Sequence, residues 1–125
     1  MAGERILVVD DNPTNVKLAS FVLESKGYEV RVATNAEEAM AQITSRPPRL
    51  VLMDIQMPGT DGLTLTRLLK ADPQTRAIVI IAFTAYAMEG DSQRALEAGC
   101  DGYLSKPIDT RIFADQIAAF LTAAR

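Results

Sequence analysis

Leu50-Val51-Leu52-Met53 is an unbroken apolar run that ends on a carboxylate, Asp54, and passes into Ile55-Gln56-Met57-Pro58-Gly59-Thr60-Asp61-Gly62. Continuous rather than alternating hydrophobicity suits a strand covered on both faces, as in a parallel sheet. The Pro- and Gly-bearing stretch after it predicts a turn. Asp54 then stands at the carboxyl edge of the sheet, where open α/β folds place their ligand sites. On this segment alone two readings compete: a turn-forming carboxylate that bonds nearby amides, or a functional group.

The rest of the chain repeats the pattern. Arg5-Ile6-Leu7-Val8-Val9 is a second apolar run ending in carboxylates, Asp10-Asp11. Asn12-Pro13 then starts a helix, with Asn as N-cap and Pro at the first helical position. That helix runs to Lys26 with Leu18, Ala19, Val22 and Leu23 on one stripe, Val16 and Phe21 to its side, and Gly27 ends it. Glu29–Ala33 alternates as an edge strand does. Asn35 caps a second helix through Ile43, stopped before Pro47-Pro48. A third helix spans Leu63–Lys70, closed off by Asp72-Pro73. Ile78–Phe83 is the most hydrophobic strand and leads to Thr84; a helix follows from Tyr86 to Ala98 and Gly99. Asp101–Ser105 is a short strand before Lys106-Pro107, and a helix from Thr110 to Ala123 buries Phe113, Ile117, Phe120 and Leu121. Five strands alternating with five helices predict a three-layer α/β sandwich with right-handed crossovers, one domain over 1–125.

Composition narrows the function classes. A length of 125 residues, 48% hydrophobic and 23% charged, is that of a single globular domain with a proper core. The net charge of −3 argues against direct binding to nucleic acid or anionic membrane. No apolar run is long enough to span a membrane, and the N-terminus lacks a signal-peptide core. Cys100 is the only cysteine, which excludes an internal disulfide and a cysteine zinc cluster. A cytoplasmic setting is expected. The chain has no histidine, so no catalytic or metal scheme here uses imidazole.

Just past the strand ends stand Asp10 and Asp11, Asp54, Thr84 and Lys106. Each has a bland reading: turn former, helix cap, solvated charge. A parallel sheet brings all five to one edge, which favours a common site over five coincidences. Two carboxylates about 4 Å apart repel by about 4 kcal/mol at an effective dielectric of about 20, so three together call for a cation or shifted pKa values. Oxygen-only ligands on a shallow, wet site favour Mg²⁺, with Mn²⁺ as the alternative. Such an ion also binds and neutralises a phosphoryl group. Asp54 is then the nucleophile that forms an acyl phosphate, with Lys106 and the Thr84 hydroxyl on the remaining phosphoryl oxygens. No G-x-x-x-x-G-K-[ST] loop is present, and Asp10-Asp11 would repel a flavin phosphate, so the phosphoryl group comes from a high-energy donor other than ATP.

V-V-D-D-N at Val8–Asn12, D-I-Q-M-P-G-T-D-G at Asp54–Gly62, T-A at Thr84-Ala85 and K-P at Lys106-Pro107 together resemble the receiver domain of two-component response regulators, over nearly the whole chain. The resemblance implies a flavodoxin-like (βα)5 fold with strand order 2-1-3-4-5 and phosphorylation at Asp54. It implies Mg²⁺ held by Asp11, Asp54 and the Gln56 carbonyl, with Asp10 acting through water. It implies Thr84 as switch hydroxyl, Tyr103 as switch aromatic, and Lys106 as phosphate partner before a cis Pro107. The implied donor is a phosphohistidine on a histidine kinase or phosphotransfer protein, which fits a chain with none of its own. The Ala87-Met88-Glu89-Gly90-Asp91 run is similar to that of stand-alone regulators in this family. Val79, often proline there, and Phe83, bulkier than the common leucine, depart from the pattern.

A receiver is expected to signal by phosphorylation-dependent protein binding, as a monomer or weak dimer, with slow self-dephosphorylation and no substrate turnover. A module that never carries phosphate is disfavoured by the intact acidic set. An aspartyl phosphatase is disfavoured because Asp54-Ile55-Gln56 lacks the second aspartate of D-x-D. In-line transfer places the donor across the rim of the site, near Asn15, Leu18, Phe21, Pro107 and Ile108. Phe21 is open to two readings, a binding anchor or a side chain half-buried against a neighbouring helix. The cognate kinase and downstream target are not written in the sequence.

Overall fold

The computed structural model describes residues 3–55, 62–84, 91–105 and 108–123, without the side chains of Asp91 and Ser92. Gln56, Lys106, Pro107, the Ala87–Gly90 run and the expected start of the fourth helix at Tyr86 lie outside the described residues. In chain order the elements are β1 (Arg5–Val9), α1 (Pro13–Ser25), β2 (Glu29–Ala33), α2 (Ala36–Ser45), β3 (Leu50–Asp54), α3 (Gly62–Ala71), β4 (Val79–Thr84), α4 (Asp91–Ala98), β5 (Gly102–Ser105) and α5 (Phe113–Ala123). The five strands form one parallel sheet in the order β2-β1-β3-β4-β5.

Strand period two divides the core. Leu7, Val9, Val51, Met53, Ile80 and Ala82 face one way, onto α2, α3 and α4 through Ala39, Ile43, Leu63, Leu69, Ala95 and Ala98. Ile6, Val8, Leu50, Leu52, Ile81 and Phe83 face the other way, onto α1 and α5 through Ala19, Val22, Leu23, Phe113, Ile117 and Leu121. β3 and β4 are buried along their whole length, which is why their sequences do not alternate. The edge strands β2 and β5 keep partly exposed residues.

Helix ends follow local chemistry. The Asn12 side chain accepts from the amides of Thr14 at 3.0 Å and Asn15 at 3.4 Å, with Pro13 opening α1. At the far end Gly27 takes a φ of +91°. Its N–H donates to Glu24 O at 3.0 Å, and that of Tyr28 to Leu23 O at 3.2 Å, the two bonds of a Schellman motif. Three details differ from the sequence reading. Val16 packs against the core of the α1/α5 face, while Leu18 is half-buried rather than central to the stripe. Phe120 is half-buried. α5 starts at Phe113 rather than Thr110, because Asp109 accepts the Arg111 amide on its carboxylate and those of Ile112 and Phe113 on its carbonyl, which holds 110–112 as a turn.

Candidate functional site

Two parallel strands in register deliver the acidic residues. Val8 lies beside Leu52 and Val9 beside Met53, so one further step sets Asp10 next to Asp54. Asp10 shares the parity of Ile6 and Val8, and Asp54 that of Leu50 and Leu52, so both side chains leave the sheet on the α1/α5 side. Asp10, Asp11 and Asp54 each offer a carboxylate oxygen, and the three oxygens lie within 4.8 Å of one another. Asp10 is 1% and Asp54 4% exposed, whereas Asp11 is open to solvent. Asp10 Oδ1 accepts the Asn12 N–H at 2.9 Å, so the turn that caps α1 also orients this carboxylate. A hollow of about 240 Å³ opens beside Asp10 and Asp11, with Lys17 and Thr34 on its rim.

Three carboxylates so placed fit a hard divalent cation. The donors are all oxygens, and two are withdrawn from water, which raises the cost of their mutual repulsion. Asp10, Asp11 and Asp54 are the described residues that could hold Mg²⁺.

Thr84 ends β4 and is fully buried, beside Ser105 in the ladder. Tyr103 pairs with Ala82 and is half-buried against the α2/α3/α4 core. Phe83 pairs with Asp54 and fills the α1/α5 core, so its extra bulk relative to leucine lies on the face opposite Tyr103. On α1, Asn15 and Leu18 are half-buried. Phe21 is 73% exposed, which overturns the reading that it is half-buried against a neighbouring helix. Ile108 packs partly against the α1/α5 core.

At the site's floor, sequence reasoning included Gly62 in the Asp54–Gly62 motif without giving it a role, and passed over Thr66. The first turn of α3 sits on the Asp54 backbone, with Gly62 so close that a side chain would strike the Asp54 carbonyl. Thr66 is fully buried and its hydroxyl donates to Gly62 O at 2.7 Å. The signal available was a polar residue on the otherwise apolar stripe Leu63, Leu65, Leu69.

Three carboxylates, two of them buried, thus meet at the carboxyl ends of a 2-1-3-4-5 sheet, and comparison with known proteins identifies the class. The response regulator receiver domain model matches residues 6–118, and the chain belongs to that family, in which signalling by phosphorylation is general. Among individual relatives, it is similar to the polar-differentiation response regulator DivK of Brucella anthropi, 41% identical over 116 residues, covering 93% of this chain and 94% of that protein. The crystal structure of a response regulator from Chloroflexus aurantiacus superposes with a TM-score of 0.91 at 32% identity, over 96% of this chain and 98% of that one. A CheY-like receiver domain protein from Methanospirillum hungatei gives 0.87 at 33% identity, over 98% and 97%.

Proposed function

We propose that Asp54 accepts a phosphoryl group from a phosphohistidine on a sensor kinase or phosphotransfer protein, and that the phosphorylated domain signals by binding another protein. The observation that carries this reading is the meeting of Asp10, Asp11 and Asp54 oxygens within 4.8 Å, with Asp54 at the end of a strand buried along its whole length. When bound by these residues and the Gln56 carbonyl, Mg²⁺ supplies charge neutralisation for the acidic cluster and for the phosphoryl oxygens. An Asp54 carboxylate oxygen attacks phosphorus, the P–N bond to the donor imidazole breaks, and its electron pair stays on the departing ring nitrogen. Burial keeps the Asp54 carboxylate from tumbling and limits water's access to the acyl phosphate, consistent with slow self-dephosphorylation. Lys106 and the Thr84 hydroxyl serve the remaining phosphoryl oxygens. Thr84 and Tyr103 then shift together, a change of population on the α4–β5–α5 face that exposes the output surface.

The donor docks over α1 and the loop after β5, against Asn15, Leu18, Phe21, Pro107 and Ile108. Among the described residues no helix is long and apolar enough to cross a membrane, which accords with a cytoplasmic regulator. The domain works as a monomer or a weak phosphorylation-dependent dimer, with no direct contact to nucleic acid.

Acetyl phosphate with Mg²⁺ tests the reading. The wild type is expected to become labelled once per chain, in an acid-labile, hydroxylamine-sensitive linkage. Asp54→Asn keeps the shape and removes the nucleophile, so labelling should vanish. Undiminished labelling of that variant would show that the acceptor is elsewhere.

A further inference from the structure

The floor beneath Asp54 is built from helix α3. A Cβ added to Gly62 would overlap the Asp54 carbonyl oxygen and come within 2.9 Å of Met53 Cγ and 3.0 Å of Ile55 Cα. Two of these three are backbone atoms, which no rotamer change can move aside. Gly62 therefore lets the first turn of the helix rest directly on the chain that carries the acceptor. One turn on, Thr66 is fully buried. Its hydroxyl donates back to Gly62 O at 2.7 Å, the local bond that a helical Thr makes and one that bends the turn in which it sits. The Cys100 thiol approaches that hydroxyl at 3.8 Å from the start of the β5 edge. On the other flank Asp54 is held by its ladder partner Phe83.

We propose that Gly62 and Thr66 are positioning residues for the Asp54 carboxylate. Gly62 sets how close α3 comes to the Asp54 peptide, and the Thr66 hydroxyl fixes the tilt of that turn. Between this floor and the β4 ladder the Asp54 backbone has one seat, which brings its carboxylate into the 4.8 Å cluster with Asp10 and Asp11. A shift of a few tenths of an ångström there changes the cluster's fit to a cation and the line of attack on phosphorus. The inference rests on the reading of Asp54 as phosphoacceptor, and the measurements below separate the two.

Mg²⁺ is titrated into the isotopically labelled full chain, with the Asp10 and Asp11 amide shifts as readout, and acetyl phosphate labelling is followed alongside. Gly62→Ala is expected to weaken Mg²⁺ binding and slow labelling by about tenfold, the size seen when outer-shell support of a metal site is removed. Thr66→Val should weaken both in the same direction, and Thr66→Ser, which returns the hydroxyl, should restore them. Leu69→Ala destabilises the same helix from its far end and should leave Mg²⁺ affinity at the wild-type value. Wild-type affinity in a folded Gly62→Ala protein would overturn the proposal, as would failure of Thr66→Ser to rescue, or loss of affinity in Leu69→Ala. If Gly62→Ala does not fold, the Thr66 pair and Leu69→Ala decide alone. A wild type that binds Mg²⁺ but is never labelled overturns the acceptor reading and leaves the Mg²⁺ test of the floor standing.

Discussion

Phe21 shows what a single residue discloses in sequence and what it withholds. It lies about a third of a turn from the centre of the α1 stripe, and Val16 about a quarter of a turn. Helical periodicity alone leaves both at the border between core and surface. The structure separates them: Val16 packs against the core of the α1/α5 face, whereas Phe21 stays largely exposed. With 73% of its surface exposed, Phe21 contributes little to the fold. Phe21→Ala should therefore change unfolding free energy by no more than about 0.5 kcal/mol. If α1 is the docking face, the same variant should slow phosphotransfer from the cognate donor while acetyl phosphate labelling stays normal. Normal transfer would remove Phe21 from the docking surface. Cys100 is the opposite case: 5% exposed, with burial pushing its thiol pKa up and the Thr66 hydroxyl pulling weakly the other way. A folded pKa above the unfolded one gives stability that is complete below the unfolded value and is lost as pH rises through the folded one. Alkaline solution should accordingly destabilise the wild type more than Cys100→Ser, as read from denaturation midpoints. A thiol reagent at neutral pH should modify Cys100 only at the rate of unfolding, and a fast stoichiometric reaction in the native protein would contradict its burial.

At the scale of elements, the order of five strands and five helices was legible because each strand is short, apolar and bounded by capping or turn residues. The ends were less so, because they depend on bonds made by single side chains. Asp109 holds a turn ahead of α5 where helical propensity alone starts the helix at Thr110. Gly62 is helical in α3 although it suits a turn by propensity, and it lies so close to the Asp54 carbonyl that a side chain there would strike it. At α2 the chemistry is reciprocal. Asn35 Oδ1 accepts the Glu38 N–H at 2.8 Å, while Glu38 Oε1 accepts the Thr34 N–H at 2.8 Å and its hydroxyl at 2.9 Å. These bonds, that of the Thr34 amide first, hold the Glu38 carboxyl below its ordinary pKa of 4.5. Because the folded pKa is the lower one, this support is present above the ordinary value and is lost as pH falls through the folded value. Glu38→Gln should thus melt below the wild type at neutral pH, with the gap closing in acid. A gap independent of pH would mean that the ionised carboxylate is not what caps the helix.

For the whole molecule, the decisive feature is that a uniformly parallel sheet sends every strand's carboxyl end to one edge. Residues far apart in sequence, Asp10 and Asp54, become neighbours through the Val9–Met53 register alone. The meeting of the acidic pair and the lone aspartate at one edge was readable for this reason, since each follows a run of four apolar residues. The close approach of Gly62 to Asp54 and the bond it accepts from Thr66 were not, because they depend on how α3 packs on the strand end. The same convergence sets up a conflict between stability and function. Charges held within 4.8 Å, two of them buried, oppose folding when no cation is present and gain from folding when one is. Asp10→Asn keeps the acceptor for the Asn12 amide while removing one charge, so the metal-free variant should melt above the metal-free wild type. Mg²⁺ at a hundredfold excess over its Kd should stabilise the wild type by about 2.7 kcal/mol, the gain for an ion that binds the native state and not the unfolded one. At about 4 °C per kcal/mol for a domain of this size, that is a rise of about 10 °C in Tm. In Asp10→Asn most of that rise should disappear, so the two proteins exchange rank as Mg²⁺ is added. A wild type whose Tm ignores Mg²⁺, or a variant that melts lower in its absence, would mean that the acidic edge is held together by protein contacts and not poised for a cation.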